Sequence, residues 1–151
     1  MPRTDGERVI ADLKRLADFG RYETGVHRPT YSPEDVASRQ WLADKFAEAG
    51  LDPVIDGIGN VIGRNPRATR RLLVGSHSET QPHGGWLDGA LGVVYGLELA
   101  RAVAADDSLA GLGIEAVEHG GLLPLAFRRQ GIAKLLLLLP GRCQRRIELI
   151  P

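Results

Sequence analysis

Apolar residues recur every three or four positions in three parts of the chain, which is the spacing of an amphipathic helix. Thr4 and Glu7 have the spacing of a capping box before the first part, and Gly20 follows it as a helix end. Ser32, which precedes a proline, and Gly50 flank the second part in the same way. Three helices are therefore predicted, with buried faces at Ile10, Leu13 and Ala17, at Leu42, Phe46 and Ala49, and at Val93, Leu97, Ala100 and Ala104.

Four short segments are typical of strands. Residues 54–56 and 61–63 are separated by a glycine-rich turn, which predicts a hairpin. Residues 72–75 form an apolar run without polar alternation, as expected of a strand buried on both faces, and residues 113–117 are a further strand candidate. The order of strand, helix and strand implies a right-handed parallel crossover, so the fold class predicted is α/β.

Charge and composition exclude several classes of partner. The 151 residues include 19 basic and 19 acidic side chains, so no global field favours nucleic acid or an anionic membrane, and neither is expected. The five leucines at 135–139 are far fewer than the roughly 20 apolar residues of a membrane-spanning helix. A polar amino terminus and a single cysteine, Cys143, favour a cytoplasmic protein.

The chain changes composition near its end. Residues 1–117 carry 13 basic and 17 acidic residues, whereas residues 118–151 carry 6 and 2 and contain nine leucines. Residues 118–151 also lack the capped, periodic segments that precede them. We therefore divide the chain into an α/β part, 1–117, and an atypical tail rich in leucine and arginine, 118–151.

The segment with recognisable chemistry follows the strand at 72–75. His77 comes directly after this strand and Asp88 directly before the third helix, which is where open α/β sheets bind ligands. Imidazole and carboxylate are common zinc ligands, and Gly84 and Gly85 would let the backbone fold closely around an ion. Two alternatives stay open, because Asp88 is also a good helix N-cap and His77 could be a core residue. A catalytic zinc ion normally has three protein ligands, so another must come from elsewhere.

Residues 75–92 resemble the metal-binding signature of the carbamoylase-type amidases, a branch of the zinc aminoacylase and carboxypeptidase-like hydrolases. This branch contains N-carbamoyl-L-amino-acid hydrolases and allantoate amidohydrolases. Further segments that look like the same family, in the same order, are 25–26 with 31–35, 49–51 and 59–64. The resemblance covers roughly residues 5–117. It implies the amino-terminal, incomplete part of a zinc-exopeptidase-like catalytic domain, with a mostly parallel sheet flanked by helices.

The resemblance also implies roles for three residues. His77 would bind one metal ion and Asp88 would bridge two, with Zn²⁺ or Mn²⁺ as the metal and two ions in the complete family site. Glu79, the candidate catalytic residue, stands where the family commonly has an aspartate that orients the histidine. A small-molecule substrate with a linear amide or ureido C–N bond is implied, and its hydrolysis would use a metal-activated water. A homo-oligomer is a further possibility.

The sequence departs from the family pattern after residue 117. The family has two adjacent glutamates just after this strand, whereas this chain continues with Glu118, His119 and Gly120. One hypothesis is a truncated or frame-shifted, inactive amidohydrolase whose last residues are not family sequence. An alternative hypothesis is that Glu118 and His119 replace the family's two glutamates as ligands. The alternative function is a non-catalytic metal-binding or interaction remnant.

Three other residues have candidate roles. His27 and Arg28 could bind an anionic substrate, although a solvated loop is the favoured interpretation. His83 could contact a metal or substrate, but an exposed loop histidine is favoured there as well.

Overall fold

The computed structural model describes residues 2–119. Helices α1, α2 and α3 span Gly6–Asp18, Pro33–Glu48 and Ala90–Ala104, and a short 3-10 helix spans Asp107–Leu109. Strands β1 to β6 span Arg21–Tyr22, Gly25–Val26, Asp52–Ile55, Val61–Arg64, Arg70–Ser76 and Leu112–Glu118. Most of the predicted tail, from residue 120 onward, lies outside the described residues, as does the leucine run at 135–139. No helix within residues 2–119 is long and apolar enough to cross a membrane.

The α/β class is confirmed, and the sheet that the structure describes is mixed. Its strand order is β3-β4-β6-β5, and β1 and β2 form a separate two-stranded hairpin. The β3–β4 and β4–β6 pairs are antiparallel, whereas β5 and β6 are parallel. A tight connection makes β3 and β4 an antiparallel hairpin, while the α3 crossover returns the chain parallel to β5. Only one of these three described pairings is therefore parallel. The family resemblance implies a mostly parallel sheet for the complete domain.

A single hydrophobic cluster joins the three helices to the sheet. Leu16 of α1, Phe46 of α2 and Leu97 of α3 are all 0% exposed. Helix α3 packs on β5 and β6, and this approach is close, because a Cβ atom at Gly96 would lie 2.7 Å from the carbonyl oxygen of Val74. The helix that follows the candidate site is thus held tightly against the strand that precedes it.

Three sequence predictions about this framework are wrong. Helix α1 is capped by Asp5, whose side chain accepts a hydrogen bond from the Arg8 amide, so Thr4 is not the cap. Ile10 is 47% exposed and lies off the buried face. Strand β5 is not buried on both faces, since Leu72 within it is 38% exposed. It pairs only with β6 among the described strands. The Ser32 cap of α2 is confirmed.

Arg28 is the largest fully buried side chain in the described part of the chain, so the prediction of a solvated loop is wrong. Its Nε and Nη2 donate to the carbonyl oxygen of Ser78 at 3.0 and 2.6 Å. Its Nη1 donates to the carbonyl oxygens of Leu16 and Phe19 at 2.6 and 2.8 Å. The Arg28 amide donates to the Thr80 hydroxyl at 2.9 Å, and the Thr80 amide donates to the Arg28 carbonyl oxygen at 2.8 Å. Arg28 therefore ties the loop after β5 to the end of α1.

Replacing Arg28 should destabilise the fold strongly. Arg28→Ala removes the guanidinium that donates to the carbonyl groups of Ser78, Leu16 and Phe19 inside the fold, and we expect the free energy of unfolding to fall by about 3–5 kcal/mol. Urea denaturation followed by circular dichroism measures this change. The matched control is Arg67→Ala, which removes an exposed arginine and should stay within about 0.5 kcal/mol of the parent chain. Equal losses in the two variants would contradict the role assigned to Arg28.

Candidate metal centre

His77 and Asp88 lie at the same end of the sheet. His77 follows the last residue of β5, Ser76, and its ring packs directly against Gly89, the residue after Asp88. A Cβ atom at position 89 would overlap this ring, and the φ angle of +69° there also favours glycine. Asp88 is exposed, on the segment that leads into α3. The structure therefore brings together the two chain segments that carry the predicted ligands.

The two alternative interpretations of these residues are contradicted. Helix α3 has Gly89 at its N-cap and no side-chain cap hydrogen bond, so the Asp88 carboxylate does not cap it. The His77 side chain is 32% exposed, which is too open for a core residue. Both side chains thus stand at the surface of this loop without the structural role that would otherwise explain them.

Glu79 contacts the His77 ring on one side. Nδ1 of His77 lies 3.2 Å from the Glu79 carbonyl oxygen and 3.3 Å from its Oε1. Both neighbours are hydrogen-bond acceptors, so the neutral imidazole carries its proton on Nδ1. The Nε2 lone pair is then available to a ligand. This is the arrangement in which a carboxylate orients a metal-binding histidine.

Glu118 is directed into the protein and is not free to bind an ion. It is 0% exposed, and its Oε2 accepts a hydrogen bond from Nη1 of Arg39 at 2.7 Å. Its Oε1 accepts from the amide and hydroxyl of Ser78, at 3.3 and 3.2 Å. Burial raises the pKa of Glu118 to about 7, against the opposing attraction of Arg39. Of the two replacement ligands considered from the sequence, Glu118 is thus occupied by structural contacts.

His119 lies beside His77 instead. Its amide donates to the carbonyl oxygen of Ser76 at 2.9 Å, and its ring centroid is 6.3 Å from that of His77, with 54° between the planes. Burial and the neighbouring His77 lower the pKa of His119, so its neutral form is favoured at pH 7. Nδ1 of His119 and Oε2 of Glu79 are both buried without a hydrogen-bond partner among the described residues.

The arrangement fits a metal ion in part. Imidazole and carboxylate groups of the types that bind zinc or manganese lie on neighbouring segments, and two of their buried polar atoms lack partners among the described residues. Within residues 2–119, however, no three side chains of His, Cys, Asp or Glu form a group that could hold an ion. The described residues thus place side chains of ligand-forming types near one another without enclosing a complete site.

Sequence reasoning missed the residues that support this loop. Arg39 joins two carboxylates, because its Nε donates to Oδ2 of Asp35 at 2.8 Å and its Nη1 donates to Glu118. The four-residue spacing of Asp35 and Arg39 in α2 was the available signal. Nothing in the sequence alone indicated that Ser78 or Arg28 would meet these buried groups.

His83 lies in a different cluster. Its ring stacks on Tyr22 at 3.9 Å and lies 5.0 Å from the ring of His27. His83 is exposed, as the favoured interpretation predicted.

The fold is that of a zinc-exopeptidase-like α/β protein. A candidate zinc-dependent exopeptidase from Bacteroides vulgatus superposes with a TM-score of 0.58 at 25% identity, covering 78% of this chain and 47% of that one. No family model matches the chain.

Two further comparisons identify the family. An amidase of the hydantoinase/carbamoylase family from Burkholderia phymatum superposes with a TM-score of 0.76 at 47% identity, covering 78% of this chain and 29% of that one. An N-carbamoyl-L-amino-acid amidohydrolase from Paenarthrobacter aurescens is 36% identical over 106 residues, which are 68% of this chain and 26% of that protein. The chain belongs to the hydantoinase/carbamoylase family of amidases. It spans about a quarter of the length of the curated relatives it matches.

A side chain at position 89 should disturb the His77 ring. Gly89→Ala places a methyl group where this ring lies and strains a backbone with positive φ, at a cost on the order of 1–3 kcal/mol. We expect the ring signals of His77 to shift in NMR spectra and the melting temperature to fall. Gly85→Ala is the matched control in the same loop, because its Cβ would have no neighbour within 4 Å. Unchanged His77 signals in Gly89→Ala would contradict this packing.

Proposed function

We propose that this chain carries one part of the active site of a metal-dependent amidohydrolase that cleaves C–N bonds in N-carbamoyl amino acids, allantoate or related linear amides. The observation that carries the proposal is the packing of the His77 ring against Gly89, next to Asp88. It joins the end of β5 to the start of α3 within a chain of the hydantoinase/carbamoylase family. The substrate proposed is a small molecule.

In this proposal His77 and Asp88 hold the metal. When bound, Zn²⁺ or Mn²⁺ would polarise the scissile carbonyl group and lower the pKa of a water molecule. Glu79 keeps the proton of His77 on Nδ1 and so directs the Nε2 lone pair toward the ligand side. Glu79 is thereby a positioning residue, since its contacts are with His77.

A second function, metal binding without turnover, is favoured by the incomplete ligand set of residues 2–119. The sequence has no adjacent pair of glutamates, which the family resemblance assigns to the general base and a further ligand. Hydrolysis needs a base positioned within reach of the attacking water. We therefore propose that the chain by itself is inactive.

We expect the purified chain to hydrolyse N-carbamoyl amino acids no faster than buffer, with Zn²⁺ or Mn²⁺ added. Release of ammonia and of the free amino acid measures this reaction. His77→Ala serves as the control for contaminating enzymes, because it removes a proposed ligand. Turnover by the parent chain that His77→Ala abolishes would contradict inactivity and would support a working minimal site.

We also propose that residues 118–151 are not family sequence, since their charge and leucine content differ from those of residues 1–117. If a frame shift produced them, translation of the coding DNA in another frame after Val117 should give a Glu-Glu-Gly string. The test is to translate all three forward frames of that DNA. Absence of the string from the other two frames would contradict the frame-shift origin.

A further inference from the structure

His119 lies beyond the segment that resembles the amidase family, yet it is placed beside the proposed ligand His77. We propose that His119 and His77 form a two-imidazole ligand pair for a divalent transition-metal ion such as Zn²⁺. This inference rests on the proposed metal site at His77. It assigns the replacement role to His119 alone and not to the adjacent Glu118.

The pairing of β5 with β6 explains why the side chains of the adjacent residues Glu118 and His119 have different surroundings. Ser76 and Glu118 form the last pair of the parallel register, in which the His119 amide donates to the Ser76 carbonyl oxygen. His77 and His119 directly follow these two residues, one position beyond the last pair of the ladder. Successive side chains of a strand point to opposite faces, so the two histidines share one face and Glu118 points to the other. The contact of Glu118 with Ser78 agrees with this alternation.

The distance between the rings is close to what a shared ion requires. Two imidazoles that each bind zinc at about 2.0–2.1 Å place their ring centroids about 5–6 Å apart. The observed separation of His77 and His119 is 6.3 Å, with the planes tilted by 54°. A small rotation of either side chain would bring both rings within reach of one ion.

The chemistry of the surrounding atoms also suits a cation. Nδ1 of His119 is buried and has no hydrogen-bond partner among the described residues, and Oε2 of Glu79 is in the same situation. A buried polar atom without a partner is costly, and a bound cation would satisfy the histidine nitrogen. Glu79 contacts Nδ1 of His77, the ring nitrogen that does not face the ion in this proposal, so its carboxylate would fix the orientation and tautomer of the imidazole. Asp88, exposed next to Gly89, is the proposed source of a third ligand.

The test measures zinc binding directly, with the full 151-residue chain and a chromophoric chelator as competitor. We expect His77→Ala and His119→Ala each to weaken zinc binding about tenfold or more, the lower end of what loss of a supporting group around a metal costs. His83→Ala removes a histidine of the separate cluster with Tyr22 and should bind zinc as the parent chain does. Circular dichroism verifies that each variant is folded.

The outcomes distinguish this inference from the proposed function. Weakened binding in His77→Ala with unchanged binding in His119→Ala would overturn the role of His119 and leave the site at His77 standing. Unchanged binding in both variants would overturn both proposals. Should His119→Ala fail to fold, zinc titration of the parent chain decides: the ring ¹⁵N resonances of His119 should shift with those of His77, and unshifted His119 resonances would overturn the pair.

Discussion

The candidate site depends on how the buried guanidinium of Arg28 holds the loop after β5. A loop that leaves the end of a strand has no ladder to fix it, and its carbonyl groups need donors when they are buried. Arg28 supplies two hydrogen bonds to Ser78 and anchors the other end of its guanidinium on the last turn of α1 and the residue after it. His77 and Glu79 flank Ser78, so the same contacts restrain both. His77 is partly exposed, but its position is restrained because the next residue, Ser78, accepts two hydrogen bonds from the buried Arg28.

A second buried cation links the loop to the rest of the framework. Arg39 binds Asp35 within α2 and Glu118 at the end of β6, while Glu118 binds Ser78. The turn between β3 and β4 is included as well, since Arg39 also donates to the carbonyl oxygen of Gly59. Segments far apart in the sequence that resemble the amidase family therefore meet around one loop. Their resemblance in a common order has a structural basis in this network.

Local signals in the sequence were sufficient to locate the three helices, the β3–β4 hairpin and the β5–α3–β6 crossover. Ser32 and Pro33 begin α2 because an N-cap and a fixed φ angle act within a few residues. The burial of Arg28 was not predictable from local signals, because only the tertiary fold brings its partners Leu16, Phe19 and Ser78 to it. The exposure of side chains on β5 likewise depends on which elements pack over its faces, and no local pattern encodes that.

The end of β6 shows why a spacing motif alone does not define ligands. Glu118 and His119 are adjacent and both belong to ligand-forming residue types, which made them equivalent candidates in the sequence. The strand alternation sends the carboxylate to Arg39 and Ser78 and leaves the imidazole on the face of His77. A carboxylate buried beside an arginine is costly to withdraw, since the arginine would lose its charged partner. Of these two adjacent residues, only His119 consequently stays near His77 and Glu79 as a candidate ligand.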